Sequence, residues 1–190
     1  TPPPALARGI ACRCREAGRK IAGLTAYTTS QVPKGSGLSS SAAFEVLIGT
    51  ILNKMYGGRA TPEQIAIDAQ FAENVYFGKP SGLMDQMACA VGNVVEIDFA
   101  EPSAPAITPL SLDLAAAGCR LAVVSTGGSH ADLTDCYAAI PREMKEVAAV
   151  FRQPVLRDIT FDQLMEKADE IRAACGDRAL LRAVHFVTGN

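Results

Sequence analysis

At 190 residues, 48% of them hydrophobic, with a formal net charge of −2, the chain is long enough for one good core or two small domains. It has no Trp, no Lys/Arg run and no basic excess, which argues against a nucleic-acid partner; no apolar run approaches the ~18 residues that span a bilayer, and Thr1-Pro2-Pro3-Pro4-Ala5 lacks a charged-then-apolar leader pattern. The six cysteines, at 12, 14, 89, 119, 136 and 175, form no C-x-x-C pair; they read as buried free thiols of a reducing, cytoplasmic setting, Cys89, Cys119 and Cys136 lying in otherwise apolar segments.

In chain order, residues 6–19 predict a short helix that Gly18 ends, and residues 21–32, rich in Thr, Tyr and Ala with a loose period of two, predict a strand. A Gly/Ser-rich loop then runs into a helix. Its apolar residues Phe44, Leu47, Ile48, Ile51 and Met55 recur at i, i+3, i+4, i+7 and i+11, so that face is expected to be buried. Gly57-Gly58 ends it. Thr61-Pro62-Glu63-Gln64 predicts the next helix start, with Thr as N-cap, Pro at the first position and Gln at N3. The inward face of that helix is Ile65, Ala69, Ala72 and Tyr76, and Glu73 falls on it.

Gly78-Lys79-Pro80-Ser81-Gly82 reads as a turn, and residues 83–90 as a short apolar helix with Asp85 in its first turn. Gly92-Asn93 leads into a half-buried strand over residues 94–99, and residues 101–109, rich in Pro and Ala, read as a connector. A second domain is expected from about Leu112. Residues 119–125 predict a buried strand (Leu121, Val123 and Val124), ending in a loop over 125–130. Pro141 is expected to break or restart a helix whose apolar face is Met144, Val147, Ala148 and Phe151. Thr160-x-x-Gln163 forms a capping box that opens a helix to about Cys175, and Asp177 caps the last helix, with Leu180, Leu181, Val184 and Val187 apolar. His130 and His185 are too isolated for a metal site or a triad.

The chemistry concentrates where the first loop meets its helix. A helix N-terminus offers free N–H groups and about half a positive charge, Gly35 and Gly37 let the backbone approach a bulky anion, and Ser39, Ser40 and Ser41 add hydroxyls. This combination suits nucleotide phosphates, and equally an ordinary capped turn. It is not the Walker loop, because Leu38 follows Gly37 where a Lys is required; nor is it the dinucleotide fingerprint, whose third glycine is here Ser40. Two readings of Glu73 also stand side by side: a carboxylate at the edge of its stripe, snorkelling to water, or a functional one held inward. Asp85 is either a helix cap or a carboxylate that the helix dipole keeps ionised to accept a proton.

The run Pro33-x-Gly35-x-Gly37-Leu38-Ser39-Ser40-Ser41-Ala42-Ala43 resembles the nucleotide-binding motif of the GHMP kinases, the superfamily of galactokinase, homoserine, mevalonate and phosphomevalonate kinases. Glu73-x-x-x-x-Gly78-x-Pro80-x-Gly82-x-Met84-Asp85-Gln86 resembles the sugar-and-catalysis segment of the galactokinase branch. The resemblance implies an α+β fold. Residues 1–111 would be part of an N-terminal sheet-and-helix lobe, residues 112–190 the beginning of a C-terminal lobe, and substrate would lie between the lobes. It implies ATP-dependent phosphorylation of galactose at its anomeric hydroxyl. Gly35, Ser36, Gly37, Leu38, Ser39, Ser40 and Ser41 would bind the nucleotide, Ser40 and Glu73 Mg²⁺, and Gly82, Asp85 and Tyr137 the sugar, with Asp85 as catalytic aspartate. The expected partners are ATP and a small sugar, with neither nucleic acid nor membrane. Related kinases acting on N-acetylgalactosamine, a uronic acid or arabinose are rival readings. So is a non-catalytic sugar and ATP sensor, although sensors of that kind alter the serine–alanine end of the loop and Ser41-Ala42 is complete here. The family's N-terminal sugar motif, its C-terminal Gly-rich motif and the Arg beside its aspartate have no counterpart in these residues. The chain therefore reads as the middle of a longer enzyme, and catalysis is expected to need more than this chain.

Overall fold

Helices dominate the chain, and most of their ends fall where the sequence places a cap or a glycine. A computed structural model describes residues 3–32, 37–124 and 134–189. The chain divides into two compact units, Thr1–His130 and Ala131–Asn190; the lobe boundary expected near residue 111 lies inside the first of them. No helix among the described residues is long and apolar enough to cross a membrane.

The first unit starts with α1, Pro3–Glu16. Gly18 takes φ +72°, and the N–H groups of Gly18 and Arg19 fold back onto the carbonyls of Arg15 and Cys14. Helix α2, Ser40–Met55, follows the loop. Helix α3, Pro62–Phe71, opens on Thr61, whose side chain accepts a hydrogen bond from the N–H of Gln64. It passes directly into a π-helical turn, Ala72–Tyr76. Helix α4 covers Met84–Val91. Ile10 and Cys14 of α1 pack with Ile48 and Leu52 of α2 and with Ala72; Val46 of α2 packs with Ile65 and Ala69 of α3. Gly49 makes the α2–α3 approach possible, since a Cβ there would stand 2.9 Å from Ile65 Cγ2. Strands β1, Val94–Asp98, and β2, Ala106–Leu110, pair antiparallel with Ile97 opposite Ile107. Both isoleucines pack onto the core formed by Ala66, Leu83 and Met87.

Several expectations are corrected in this unit. The α2 helix has the expected period but a rotated face: Ala42, Glu45, Val46, Ile48, Gly49 and Leu52 are buried, whereas Leu47 and Met55 are exposed. The small residues Ala42 and Gly49 admit the neighbouring helices, so close approach rather than side-chain bulk sets the face. Tyr76 is exposed as well, and its hydroxyl donates to Glu16. Residues 101–109 are not only a connector, because β2 begins at Ala106. Pro109 is tolerated because a two-stranded sheet consists of edges. Residues 21–31 and 119–124 form no regular strand, and Leu121, Val123 and Val124 are exposed. A strand is completed by its partner's hydrogen bonds, and the described residues provide none for these segments. Cys14 is buried as expected, but Cys89, Cys119 and Cys136 are exposed; all six thiols are free.

The second unit consists of α5, Thr134–Val150, α6, Phe161–Glu166, α7, Ala168–Cys175, and α8, Asp177–Thr188. Its core is Val147, Ile159, Leu164, Ile171, Leu180 and two alanines of α8, with Met144 and Phe151 packed against it. Pro141 does not break α5. It lies on the solvent side, while Ala139, Glu143 and Val147 carry a buried stripe past it. The predicted capping box is present, with Thr160 Oγ1 accepting from Gln163 N–H and Gln163 Oε1 accepting from Thr160 N–H. The helix it opens is interrupted at Lys167, between α6 and α7. Asp177 is not the cap of α8: Gly176, at φ +87°, holds that position, and Asp177 accepts from Arg172 Nε at 2.7 Å. Leu181 faces solvent, since Ala179, Leu180 and Ala183 form the buried face.

Candidate active site

The loop enters α2 through an uncommon backbone. Gly37 sits at φ +77°, where glycine is at ease, but Ser39 is also left-handed, at φ +57° and ψ +43°. That conformation costs a non-glycine residue roughly 1–2 kcal/mol. Ser39 holds the N-cap position yet makes no side-chain capping bond, which forgoes a further ~0.5–2 kcal/mol. The first-turn N–H groups of α2 therefore lack the acceptor that a capping serine supplies, which suits an anion brought from outside. Ser40 and Ser41, partly buried, form the start of the helix, and Leu38 is exposed. Gly35 and Ser36 lie outside the described residues.

The Ser39 hydroxyl turns away from its own helix and donates to Asp85 Oδ2 at 2.5 Å. Asp85 is exposed in the first turn of α4. It is not a cap: Leu83 occupies the N-cap position, and no side chain caps that helix. The turn that delivers α4 is clamped by α3 and the π turn. Asn74 Oδ1 accepts from the N–H and the hydroxyl of Ser81, while Gln70 and Asn74 both donate to the Ser81 carbonyl. Within this turn Gly82 is exposed, and a Cβ on it would meet nothing within 4 Å. Gln70, Gly82, Leu83, Met84, Phe99 and Pro102 line a shallow depression beside it.

Behind Asp85 lies a buried polar cluster. Glu73 is 1% exposed, so it does not snorkel. It sits in the π turn, a rare helical deformation that collects at functional sites. Glu73 Oε1 accepts from Lys79 Nζ at 2.9 Å and Oε2 from Gln86 Nε2 at 2.8 Å. The same Gln86 amide donates to Glu45 Oε2 at 3.2 Å. Glu45 and Gln86 are as deeply buried as Glu73, and Glu45 Oε1 and Gln86 Oε1 have no hydrogen-bond partner among the described residues. Burial, and then the charge of Glu73, pushes the Glu45 carboxyl up to about 7.

Ser40 and Glu73 supply a hydroxyl and a carboxylate, hard oxygens of the kind Mg²⁺ takes alongside water and phosphate. A cation already stands at Glu73 Oε1 in the form of the Lys79 ammonium, and two buried acceptor oxygens lie in the same cluster. In donor type these oxygens suit a divalent ion that shares its shell with a nucleotide, although both Glu73 oxygens are engaged and no hydrogen bond joins Ser40 to Glu73 among the described residues. No group of three or more His, Cys, Asp or Glu able to hold a metal alone occurs among the described residues. Tyr137 belongs to the second unit, half-exposed on α5.

The structure thus joins Ser39 to Asp85, and Glu73 to the residue following Asp85. Glu45, Lys79 and Gln86 have no role assigned from the sequence; the structure brings all three into the cluster around Glu73. One signal for Glu45 was available: it lies three residues from both Ala42 and Ile48, on one helical face.

Residues 5–93 match the family described as the GHMP kinases N terminal domain. Galactokinase of Streptomyces coelicolor is 36% identical over 183 residues, covering 95% of this chain and 46% of that protein. Galactokinase of Streptomyces lividans is 35% identical over 95% of this chain and 45% of its own length. A galactokinase of Actinobacillus pleuropneumoniae is 34% identical over 85% of this chain and 41% of its own length. The chain spans less than half the length of these relatives.

Proposed function

We propose, from the match of residues 5–93 to the N-terminal domain of the GHMP kinases, that the chain serves an ATP-dependent galactokinase, which makes galactose 1-phosphate and ADP. The observation that carries this reading is the contact between Ser39 at the end of the Gly/Ser loop and Asp85 at the start of α4. It brings a site suited to phosphate and an accessible carboxylate to hydrogen-bonding distance.

In this reading residues 35–41 cradle the triphosphate with backbone N–H groups, aided by the Ser40 and Ser41 hydroxyls. Asp85 accepts the proton of the anomeric hydroxyl, or orients that oxygen in line with the γ-phosphorus. Gly82 leaves room for the sugar ring. Ser40 and Glu73 would hold Mg²⁺, which supplies charge neutralisation on the phosphates. Lys79 and Gln86 orient the Glu73 carboxylate. Phosphoryl transfer depends mostly on such positioning and charge stabilisation.

The test is ATP consumption by the whole protein against a panel of galactose, N-acetylgalactosamine, a uronic acid, arabinose and glucose, with the phosphorylated carbon located by NMR. Galactose phosphorylated at the anomeric oxygen is the expected result. Preference for another member of the panel transfers the reading to a sibling sugar kinase, and no sugar-dependent turnover overturns it.

A further inference from the structure

Ser39 does not do what its position in the loop suggests. It occupies an N-cap without capping, in a left-handed conformation that serine rarely takes. Its hydroxyl is committed to an acceptor forty-six residues away, at 2.5 Å. We propose that Ser39 is a positioning residue: its hydroxyl fixes the Asp85 carboxylate against the end of the phosphate loop, so that loop and aspartate are set as one unit. The inference rests on the reading above insofar as Asp85 takes part in phosphoryl transfer.

Three observations carry it. Asp85 is exposed on a short helix that no side chain caps, so its own helix does little to fix its rotamer. Among the described residues Ser39 is its one hydrogen-bond partner, on Oδ2, which leaves Oδ1 for an incoming hydroxyl. The backbone of Ser39 bears a steric cost whose visible return is this bond, since the hydroxyl leaves its own helix uncapped to make it. The α2 and α4 starts are thereby linked, and a displacement of the loop end is passed to the carboxylate. The sequence suggests Ser39 as one more phosphate ligand. The geometry points to a different division of labour, with Ser40, Ser41 and the backbone left to the phosphates.

The test uses Ser39→Gly in the whole protein, because glycine keeps the left-handed backbone without strain and removes only the hydroxymethyl group. The expected result is a fall of about tenfold in kcat, with the KM for ATP and the binding of a fluorescent ATP analogue changed by less than about twofold. Weaker analogue binding and a raised KM at unchanged kcat would make Ser39 a phosphate ligand and overturn the proposal. A second measurement does not depend on the reaction: thermal unfolding of Ser39→Gly, Asp85→Ala and the double variant. Shifts in Tm for the double variant smaller than the sum of the single shifts support the linkage, and additive shifts overturn it. If the shifts are coupled while Asp85→Asn retains full turnover, the linkage stands and the catalytic assignment of Asp85 is what fails.

Discussion

Among the described residues of the first unit lie two buried carboxylate clusters, built on opposite terms. Asp68, on α3, is met on Oδ1 by Arg13 Nε at 3.3 Å and Gln64 Nε2 at 3.1 Å, and on Oδ2 by Arg19 Nη2 at 2.5 Å. One anion faces two guanidinium groups, both oxygens are satisfied, and the result ties α1 and the segment after it to α3. The Glu45–Glu73–Gln86 cluster instead sets two carboxylates around one amide. Among the described residues its single cation is Lys79, half-exposed, and two buried oxygens have no partner. Unpaired buried acceptors and neighbouring like charges cost stability. A cluster whose task is to hold helices together fills its acceptors, as Asp68 does. The Glu45–Glu73–Gln86 cluster, less fully paired and next to an exposed aspartate, is the candidate functional site of the two.

The comparison is broken most sharply at the exposed carboxylate itself. Asp85→Asn is expected to lower kcat by about 10²-fold or more while leaving the melting temperature and nucleotide binding nearly unchanged. Single-turnover kinetics beside calorimetry check both halves, and full activity in the variant removes Asp85 from the mechanism. The contrasting substitution is Asp68→Ala. Breaking a buried ion pair costs about 3–5 kcal/mol, and the low end, about 3 kcal/mol, applies here because Arg13 and Arg19 are part-exposed and can turn to water. Urea unfolding measures the loss. In the fraction that stays folded, turnover per molecule should be unaltered, and a fall in kcat without a loss of stability would show that the two clusters are not separate in function.

The sequence carried one of these clusters better than the other. Glu73 and Asp85 were legible because an apolar stripe and a helix start frame them, and both lie within recognisable motifs. Thr61, Gly18 and Gln163 were legible because caps are local: a side chain and a backbone group a few residues apart settle them. Glu45 was not legible, because a carboxylate in a helix reads as a solvent-facing residue until the neighbouring helices are placed. The α2 face failed in part for the same reason: Leu47 and Met55 are larger than Ala42 and Gly49, yet the small residues face inward, and at Gly49 this is because α3 needs the space. Residues 21–31 illustrate the general limit. Their β-pattern is a statement about a partner strand, and a partner is not encoded in the segment itself. Ser39 is the most instructive case, since an N-cap serine has a local role by default and here gives it up for a distant one.

A smaller effect sharpens the comparison through pH. The Glu45 carboxyl, ordinarily at 4.5, stands at about 7 in the fold, raised by burial and then by Glu73. Below about pH 4.5 it is protonated in both folded and unfolded chains and contributes no pH dependence. As the pH rises toward 7 the unfolded chain releases this proton while the folded chain retains it, so stability falls through that window and levels off above it. The shift corresponds to about 1–3 kcal/mol at neutral pH. Glu45→Gln removes the titration and keeps the shape. It is expected to be more stable than the parent at about pH 8 and to show a flatter melting temperature between about pH 5 and pH 8. Equal slopes for parent and variant would mean that the cluster binds the Glu45 charge as comfortably as Asp68 is bound.

The smallest effects expected are a pair of opposite sign at Glu73. Its carboxylate is shared between the Gln86 amide and the Lys79 ammonium, and Lys79 stands at the oxygen where a divalent cation would compete with it. Glu73→Gln removes one of few anionic ligands, so the Mg²⁺ concentration giving half-maximal rate should rise, by about tenfold. Lys79→Met keeps much of the aliphatic stem and removes the competing charge, so that concentration should fall, by about two- to threefold. The stability change in Lys79→Met should stay below about 1 kcal/mol, because nearly half of the lysine side chain is in water and its ion pair is screened. Mg²⁺ titration of the rate, repeated by calorimetry with a non-hydrolysable ATP analogue, reads both substitutions. If the two variants move in the same direction, Lys79 acts as part of the binding site and not as a competitor at Glu73. If neither moves, the metal does not reach Glu73, and the cluster behind Asp85 is only a poorly satisfied counterpart of the one at Asp68.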